Sequence, residues 1–411
     1  MGTTPRPSNL LPATSRHDGY FPKEDKAAHD LIYPWYQVNS NRGFITKWTV
    51  AGDAAARTIT LPLINARTEG SLAYDCWIDW GDGTALSHVL TYNSAARAHA
   101  YAADGTYNVE IKGTCEGWSF ANAGDKLKIV EVVYWGDPGI HNGWKYLSGA
   151  FYGCTNLRSL GVGSILASGT GVLTDGFYTF ATSCPIREIP VGLFWLHPNL
   201  TTGTNGAFDS AFAACTLLSQ VPVGTFKAQT LVTNSAFKST FNACTALGDP
   251  PADLYRYNTL VGQDGFYHTY YGAGCVTIPG DLHKYNTVTG PGGHNAEFAT
   301  MPNLATVGDG LLAHSTVLGA FCFYQCFAAC PKLAINPLTF YAAGGEATRF
   351  AGKTVGLESC FSRTTWAGAQ GTAPALWNCT FGTVVSTTCF AGTGNTVSSI
   401  SNYNDITAGW K

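Results

Sequence analysis

The segments AFAACTLL, residues 211–218, and TFNACTAL, residues 240–247, decide the fold because they are two copies of one pattern 29 residues apart. In the first copy Phe212 lies three residues before Cys215, and in the second Phe241 lies three residues before Cys244. A pattern that returns at a fixed period indicates units that are too small to bury their own apolar faces and that share one core by stacking. The sequence therefore predicts a repeat array.

Further copies of the pattern are AFYGCTNL, TFATSCPI and CFAACPKL, with degenerate copies in YYGAGCVTI, EFATMPNL, CFSRTTW and CFAGTGN. The predicted aromatic ladder is Phe151, Phe180, Phe212, Phe241, Tyr271, Phe298, Phe327, Phe361 and Phe390. The predicted cysteine ladder is Cys154, Cys184, Cys215, Cys244, Cys275 and Cys330, with Met301 at the cysteine position of one unit. Proline-containing turns recur around Pro190, Pro222, Pro250, Pro279 and Pro337. We expect about nine coils of about 30 residues whose aromatic and thiol side chains lie above one another.

The cysteines are interpreted as small buried hydrophobic residues, because free cysteine is among the most buried residue types. Disulfides are the alternative, and the second column of Cys326, Cys360 and Cys389 is where one would be expected. A zinc site is disfavoured because Cys322, Cys326 and Cys330 have no histidine near them in sequence and the chain has no CxxC pair.

The repeated aromatic, cysteine and following leucine resemble the BspA-type leucine-rich repeats. The resemblance covers about residues 127–411, with the best matches from Phe151 to Leu333. It implies a right-handed leucine-rich-repeat-like solenoid over residues 126–411 that acts as a surface-exposed adhesion or interaction array. Such arrays occur on bacterial cell surfaces and in phage-encoded proteins.

Residues 41–125 contain short alternating segments typical of strands. Within them, WIDWGDGT and HAYAADGTYNVEI resemble the paired motifs of PKD-type domains, which implies a PKD/Ig-like β-sandwich. The run Gly81, Asp82 and Gly83 suits a tight turn. Calcium binding through Asp79 and Asp82 is the alternative, although hard cations use six or more oxygens. The segment KLKIVEVVYWG, residues 126–136, is predicted to form a strand that opens the solenoid.

Residues 1–40 are rich in proline and lack periodicity, so they are predicted to form an extended N-terminal arm. Such arms fasten a protein to a larger assembly. We therefore expect the arm to contact other virion or surface-assembly subunits, and we expect a homo-oligomer or a part of a larger assembly.

Composition excludes several classes of function. The net charge is −3 and only 12% of the residues are charged, which gives no basic footprint for nucleic acid. No apolar run reaches the length of a signal peptide core or a membrane span, so membrane insertion is not expected.

The motifs of metalloproteases, α/β-hydrolases, P-loop enzymes and dinucleotide-binding enzymes are absent. Asp253 and Asp281 lie at equivalent repeat positions and are interpreted as turn residues. The protein is thus predicted to have no catalytic residues, cofactor or metal.

Aromatic and basic residues follow the proline turns and form a candidate binding strip. Its members are Trp195, His197, Lys227, Arg256, Tyr257, Lys284, Tyr285 and His314. Alternate residues of a strand face outward, so one set would be exposed. Exposed Trp, Tyr and Arg anchor protein interfaces, so we expect a host surface protein or glycan to bind there.

These observations favour a non-enzymatic phage virion protein, such as a decoration, neck or tail-associated subunit. A bacterial cell-surface BspA-like adhesin is the first alternative. The second is a carbohydrate-active enzyme with an accessory PKD module, which would need a deep acidic pocket that the sequence does not show.

Overall fold

The computed structural model describes residues 41–65, 71–168, 176–196, 206–229, 234–288, 290–315, 318–341, 348–366 and 368–411. The predicted arm, residues 1–40, and His197 of the predicted strip lie outside the described residues. The chain divides into two compact units, Met1–Ser40 and Asn41–Lys411. The boundary predicted between residues 125 and 126 therefore falls inside the second unit.

The second unit is mainly β, and its described residues contain no α-helix. The strands are β1 (Phe44–Val50), β2 (Thr58–Thr60), β3 (Tyr74–Asp79), β4 (Ser87–Val89), β5 (Ala98–Ala100), β6 (Gly105–Cys115), β7 (Ile129–Tyr134), β8 (Leu260–Val261), β9 (Thr277–Ile278), β10 (Thr287–Val288), β11 (Thr306–Val307), β12 (Thr354–Gly356) and β13 (Thr383–Val385). Short 3-10 helices span Ala95–Arg97, Leu376–Asn378, Tyr403–Asp405 and Ala408–Trp410. Among the same residues there is no helix of the length and apolarity that a membrane span requires.

An antiparallel sheet of five strands, in the order β4-β3-β6-β1-β7, begins this unit. Strand β3 shows the period of two that is typical of strands, since its side chains alternate strictly between buried and exposed. Strands β2 and β5 form a separate antiparallel pair. The predicted turn follows β3, and both of its aspartates stabilise it: Asp79 accepts a hydrogen bond from the Gly81 amide, and Asp82 accepts from the Thr84 amide and from His99.

Strand β7 connects the sheet to the repeats. The predicted strand within residues 126–136 is confirmed, and it pairs antiparallel with β1 in the sheet. At the same time the Val132 amide donates to the Ser159 carbonyl, and Tyr134 forms a parallel bridge with Val162. The sheet thus covers the first repeat directly, as an array with an apolar end requires.

The repeat units are joined by a backbone ladder made from turns. Every second amide of one unit donates to a carbonyl 28 residues later, in the next unit. The pairs are Ser235 with Gln263, Phe237 with Gly265, Ser239 with Tyr267, Phe241 with Thr269, and Ala243 with Tyr271. The amides between them, such as Lys238 and Thr240, donate to the carbonyl three residues earlier in their own unit. Alternate amides therefore bond forward and backward, and every amide from Ser235 to Cys244 except that of Ala236 has one of these two partners.

This ladder needs a backbone that ordinary strands do not have. Ser235, Ser239 and Ala243 have positive φ angles of 56°, 51° and 57°, and the pattern recurs in other units. A residue in the left-handed conformation at every fourth position turns the chain, while the backbone amides that bond to the next unit keep pointing along the array. Among the described residues of the repeats, parallel pairing longer than an isolated bridge is found for β8 with β10, β9 with β11 and β12 with β13.

Aromatic rings from successive units contact one another in the interior. Ring centroids of Phe212 and Phe241 are 6.1 Å apart, those of Phe241 and Tyr270 5.6 Å, and those of Tyr270 and Phe298 5.6 Å. The column continues through Phe327, Phe361 and Phe390 at 5.3 to 5.4 Å, with each ring nearly parallel to the last. Such offset stacks add to the stability that burial of the rings provides.

Two members of the predicted ladder are placed differently. Tyr270, which is fully buried, occupies the column instead of Tyr271, which is half-buried against a small alanine cluster. Phe180 is shifted by one residue, because the backbone position equivalent to Phe212 belongs to Ala181, whose amide donates to Ala211. The Phe180 ring still reaches Phe151 and Phe212, at 5.5 and 6.3 Å, but it meets both edge-on.

The cysteine ladder carries hydrogen bonds as well as apolar contacts. The thiols of Cys215 and Cys244 donate to the carbonyls of Ala181 and Phe212, at 3.1 Å each. Cys184 and Cys330 donate in the same way to Phe151 and Phe298. Each thiol therefore satisfies the carbonyl of the ladder residue one unit earlier. All thirteen cysteines are free, including Cys326, Cys360 and Cys389, and all except the half-buried Cys379 are buried.

Candidate functional site

The proline-turn segments that carry the predicted strip are turns rather than strands. In one of them the amides of Leu254, Arg256 and Asn258 donate to the carbonyls of Pro251, Asp253 and Tyr255, three residues back in each case. The segments around Lys227 and Lys284 repeat this pattern. The alternation of exposed and buried residues that a strand would impose is therefore wrong for the strip, and the turn sets the direction of each side chain instead.

One position of these turns points into the interior. Phe194, Phe226, Tyr255 and His283 follow one another there, with neighbouring ring centroids 5.8 to 6.4 Å apart and the ring planes within 14° of parallel. All four side chains are buried. This second aromatic column packs against a third one made of Phe177, Phe208, Phe237, Phe266, His294 and Phe323.

The next position carries the cations. Lys227 is half-buried, whereas Arg256 and Lys284 are exposed. The Arg256 guanidinium lies over the rings of Tyr257 and Tyr285, at 5.8 and 5.5 Å, and the Lys284 ammonium lies 5.8 Å from the Tyr285 ring. These distances are within the range of cation–π attraction. Lys284 also donates to Asp281 at 3.2 Å.

The third position adds aromatic surface. Tyr285 is 43% exposed, Tyr257 is half-buried and His314 is exposed. Partial burial of the ring and the charge of Lys284 lower the pKa of His314, which favours the neutral imidazole at pH 7. The structure thus brings Arg256, Lys284 and these three rings together on successive units.

Trp195 does not belong to the exposed surface that the sequence predicted. Its side chain is only 8% exposed, and its indole N–H donates to the Gly224 carbonyl at 2.8 Å. The Lys227 ammonium lies 3.7 Å from the indole centroid and covers it. Trp195 is therefore a packing residue at the end of the strip. We define the exposed strip as Lys227, Arg256, Tyr257, Lys284, Tyr285 and His314.

Beneath the strip, an interior row of amide side chains donates to backbone carbonyls of the turn segments. Gln229 donates to the Phe194 carbonyl, Asn258 to the Phe226 and Gln229 carbonyls, and Asn286 to the Tyr255 and Asn258 carbonyls. Ser315 is the next residue of the row by position. The buried backbone of the turns is thereby satisfied from one unit to the next.

A polar cluster lies within the aromatic columns. His283 and His294 occupy column positions that hold Tyr255 and Phe266 one unit earlier, and Glu297 lies between them. His283 Nε2 is 2.9 Å from Glu297 Oε1, and His294 Nδ1 is 2.7 Å from Glu297 Oε2. The three side chains are at most 1% exposed.

Each imidazole of this cluster has a second polar partner. His294 Nε2 lies 2.6 Å from Ser315 Oγ, and His283 Nδ1 lies 3.4 Å from Asn286 Oδ1. Burial by itself raises the pKa of Glu297, but the charges and hydrogen bonds of His283 and His294 outweigh it and hold this pKa below the ordinary value. Burial lowers the pKa of His294. The lowered pKa favours the ionised carboxylate inside the array, where its contacts with the two imidazoles stabilise it.

Sequence reasoning missed this cluster because His283 and Glu297 are 14 residues apart and only the stacking of turns brings them together. The signal was present in the alignment of units, where Tyr255, Phe266 and Thr269 are replaced in one step by His283, His294 and Glu297. Two histidines in place of aromatic rings, and a glutamate in place of a threonine, all at the same step of the repeat, mark a site that packing does not explain.

Comparisons with known proteins add no relative to this picture. No family model, no curated protein and no solved structure matches the chain.

Proposed function

We propose that the protein is a non-enzymatic virion component, of the decoration, neck or tail-associated kind, that binds other proteins or a host surface. In this proposal a PKD-like sandwich caps a right-handed, BspA-type leucine-rich-repeat-like solenoid of about nine coils. The solenoid presents the exposed strip to its partner, and the arm over residues 1–40 fastens the protein to the particle.

The solenoid proposal rests on the repeated contacts between units. The same amides bond to the next unit around Phe212, Phe241 and Phe298, and the same column of rings runs through them. A core that depends on neighbours in this way is typical of repeat proteins, which use their extended surfaces for binding.

The exposed strip carries the functional part of the proposal. Arg256 and Lys284 take the same turn position on successive units, and Tyr257, Tyr285 and His314 take the position after it. A row of cations held against tyrosine rings can form charge-assisted hydrogen bonds and bury aromatic area in the same contact. An acidic protein surface or an acidic glycan is the partner that this chemistry suits.

Mass spectrometry of purified particles tests the placement. Particles from cultures that express the chain should contain it in a fixed ratio to the capsid protein. Recovery only in the cell-envelope fraction would support the bacterial adhesin instead, and recovery in neither fraction would contradict both.

Substitution of the exposed strip tests the surface. The triple variant Lys227→Ala, Arg256→Ala, Lys284→Ala should lower incorporation into particles or binding to host cells at least tenfold, because charge-assisted contacts of this kind contribute about 1.5 to 3 kcal/mol each. The matched control is Arg158→Ala, Arg187→Ala, Lys332→Ala, which removes three positive charges from exposed positions of the repeats outside the strip. Equal losses in the two variants would show that charge alone matters and that the strip is not the binding surface.

A further inference from the structure

The cluster of His283, His294 and Glu297 has the composition of a metal site. Two imidazoles and one carboxylate each offer one donor atom, and these atoms all lie within 4.8 Å of one another. Two histidines and a glutamate form one of the ligand sets that hold zinc in proteins, where the fourth position of the tetrahedron goes to another donor. Exposed acidic groups often lie together without an ion, but these three groups are buried.

The outer partners of the imidazoles are those that a metal ligand uses. A histidine that binds a metal through one nitrogen commonly donates its other N–H to an oxygen, which fixes the orientation of the ring. His283 directs Nε2 to the cluster and Nδ1 to Asn286 Oδ1, and His294 directs Nδ1 to the cluster and Nε2 to Ser315 Oγ. Both rings are thus oriented from outside toward a common point.

The Asn286 amide cannot be turned round, which fixes the proton on His283. Its Nδ2 atom already donates to the carbonyls of Tyr255 and Asn258, so Oδ1 is the atom that faces His283. An amide oxygen only accepts, so His283 Nδ1 carries a hydrogen. Nε2, which lies 2.9 Å from Glu297 Oε1, is then the nitrogen whose lone pair a divalent ion would take, with any proton there leaving to solvent, while Nδ1 keeps its hydrogen bond.

The donor atoms lie close together but are not yet at metal-ligand spacing. His283 Nε2 and His294 Nδ1 contact different oxygens of Glu297, at 2.9 and 2.7 Å, and one donor atom from each residue lies within 4.8 Å of the other two. Ligands about 2.0 to 2.1 Å from one tetrahedral ion are roughly 3.3 Å apart, so the side chains would rotate to bring both nitrogens and one carboxylate oxygen to that spacing. The next unit places the buried thiol of Cys326 at the position equivalent to Glu297.

We propose that His283, His294 and Glu297 bind one zinc ion or a similar divalent transition-metal ion in the interior of the array. The ion joins the unit of His283 to the unit of His294 and Glu297, and it takes the place of the ring contacts that Tyr255 and Phe266 make one unit earlier. Because the site is closed, the metal enters during folding and exchanges slowly with solvent.

The array itself supplies the control variant. His283→Tyr, His294→Phe, Glu297→Thr installs the residues that stand one repeat earlier at each position, Tyr255, Phe266 and Thr269, so this variant should fold. Both full-length proteins would be unfolded in chelator, refolded with one equivalent of Co²⁺ or Zn²⁺, and desalted. Wild type should retain about one equivalent of metal, show the visible absorption of tetrahedral Co²⁺, and unfold at a higher temperature with Zn²⁺ than without it. The control should fold and show none of these effects.

Two further variants test whether the hydrogen-bond partners of His283 and His294 support metal binding. Ser315→Ala and Asn286→Ala remove the outer partners and should weaken metal affinity 10- to 100-fold, as such partners do elsewhere. A folded wild-type protein that retains no metal after refolding, or that retains as much metal as the control, would overturn the proposal. This outcome is independent of whether the exposed strip binds a partner.

Discussion

The sheet of residues 44–134 and the repeats that follow must both pair their buried backbone amides, and they do so in two different ways. In the sheet, buried amides pair between extended antiparallel strands, as in the register from Phe44 with Ile111 to Val50 with Gly105. In the repeats they pair between turns of parallel neighbours about 28 residues apart, as when Phe237 donates to Gly265. The comparison teaches that a β-type ladder does not need a strand, provided that alternate amides are directed to the next unit.

The largest effect should come from breaking the interior column of the repeats. Phe241→Ala removes a fully buried ring that contacts Phe212 and Tyr270. Chemical denaturation should show that the free energy of unfolding falls by about 4 kcal/mol. The control is Phe321→Ala, because Phe321 is 54% exposed, and its cost should stay below about 1 kcal/mol. Similar losses for both variants would mean that the column is not the core of the repeats.

The turn segments give the second test, since the structure separates two aromatic residues that the sequence placed together. Trp195→Ala should cost about 3 kcal/mol, because it removes a buried ring and leaves the Gly224 carbonyl without its indole donor. Tyr285→Ala should cost less than about 1 kcal/mol, because this ring is 43% exposed. Thermal unfolding of the two variants checks the difference, and a reversed order would place Trp195 back on the surface.

His141 lies where the sheet meets the repeats, and it predicts how pH affects the junction. Its ring is buried against Phe44 and Trp144, and burial lowers its pKa to about 3. Below about pH 6.5 His141 is protonated in the unfolded chain but stays neutral in the folded protein. The free energy of unfolding therefore falls as the pH falls from about 6.5 toward 3. The loss between pH 7 and pH 5 should be about 2 kcal/mol.

The variant His141→Phe isolates this contribution. It removes the titrating group, so the loss in free energy of unfolding between pH 7 and pH 5 should be about 2 kcal/mol smaller in the variant than in wild type. Urea denaturation at the two pH values measures both proteins. If wild type and variant show equal pH dependence, His141 is not the buried neutral group that the structure describes.

The smallest effect concerns the left-handed residues of the turn ladder. Ala243 has a φ angle of 57°, which costs an alanine about 1 to 2 kcal/mol and costs a glycine nothing. After the entropy of glycine in the unfolded chain is counted, Ala243→Gly should stabilise the protein by about 0.5 to 1 kcal/mol. Ala211→Gly, at a buried position without positive φ, should destabilise it by about 1 kcal/mol. The two melting temperatures should therefore move in opposite directions.

The sequence allowed the repeat period and the positions of most interior rings to be predicted, because one chemical pattern recurs at each of them. It also allowed β7 to be predicted from a period of two and β3 to be predicted as a short strand. The shift at Phe180 could not be found in this way, because an aromatic residue one position early still fills the same space. Tyr270 and Tyr271 are adjacent, and only the backbone register selects Tyr270 for the column.

The candidate site was predicted less well, for a related reason. Proline followed by apolar residues fits a strand or a turn, and the choice of a strand led to an exposed Trp195. The grouping of His283, His294 and Glu297 depends on contacts between units, which no single segment contains. The cationic residues were found because exposure of Lys and Arg follows from their chemistry in either conformation.

Deletion of one whole unit tests most directly whether successive units share a core in register. Removing residues 213–241 joins Phe212 to Asn242 and leaves every column continuous, whereas removing residues 213–227 puts turn positions against ring positions. The account predicts that the protein with the first deletion unfolds in one cooperative transition and shows the near-ultraviolet circular dichroism of ordered aromatic rings. The protein with the second deletion should show neither the cooperative transition nor this circular dichroism signal. Equal behaviour of the two deletions would contradict it.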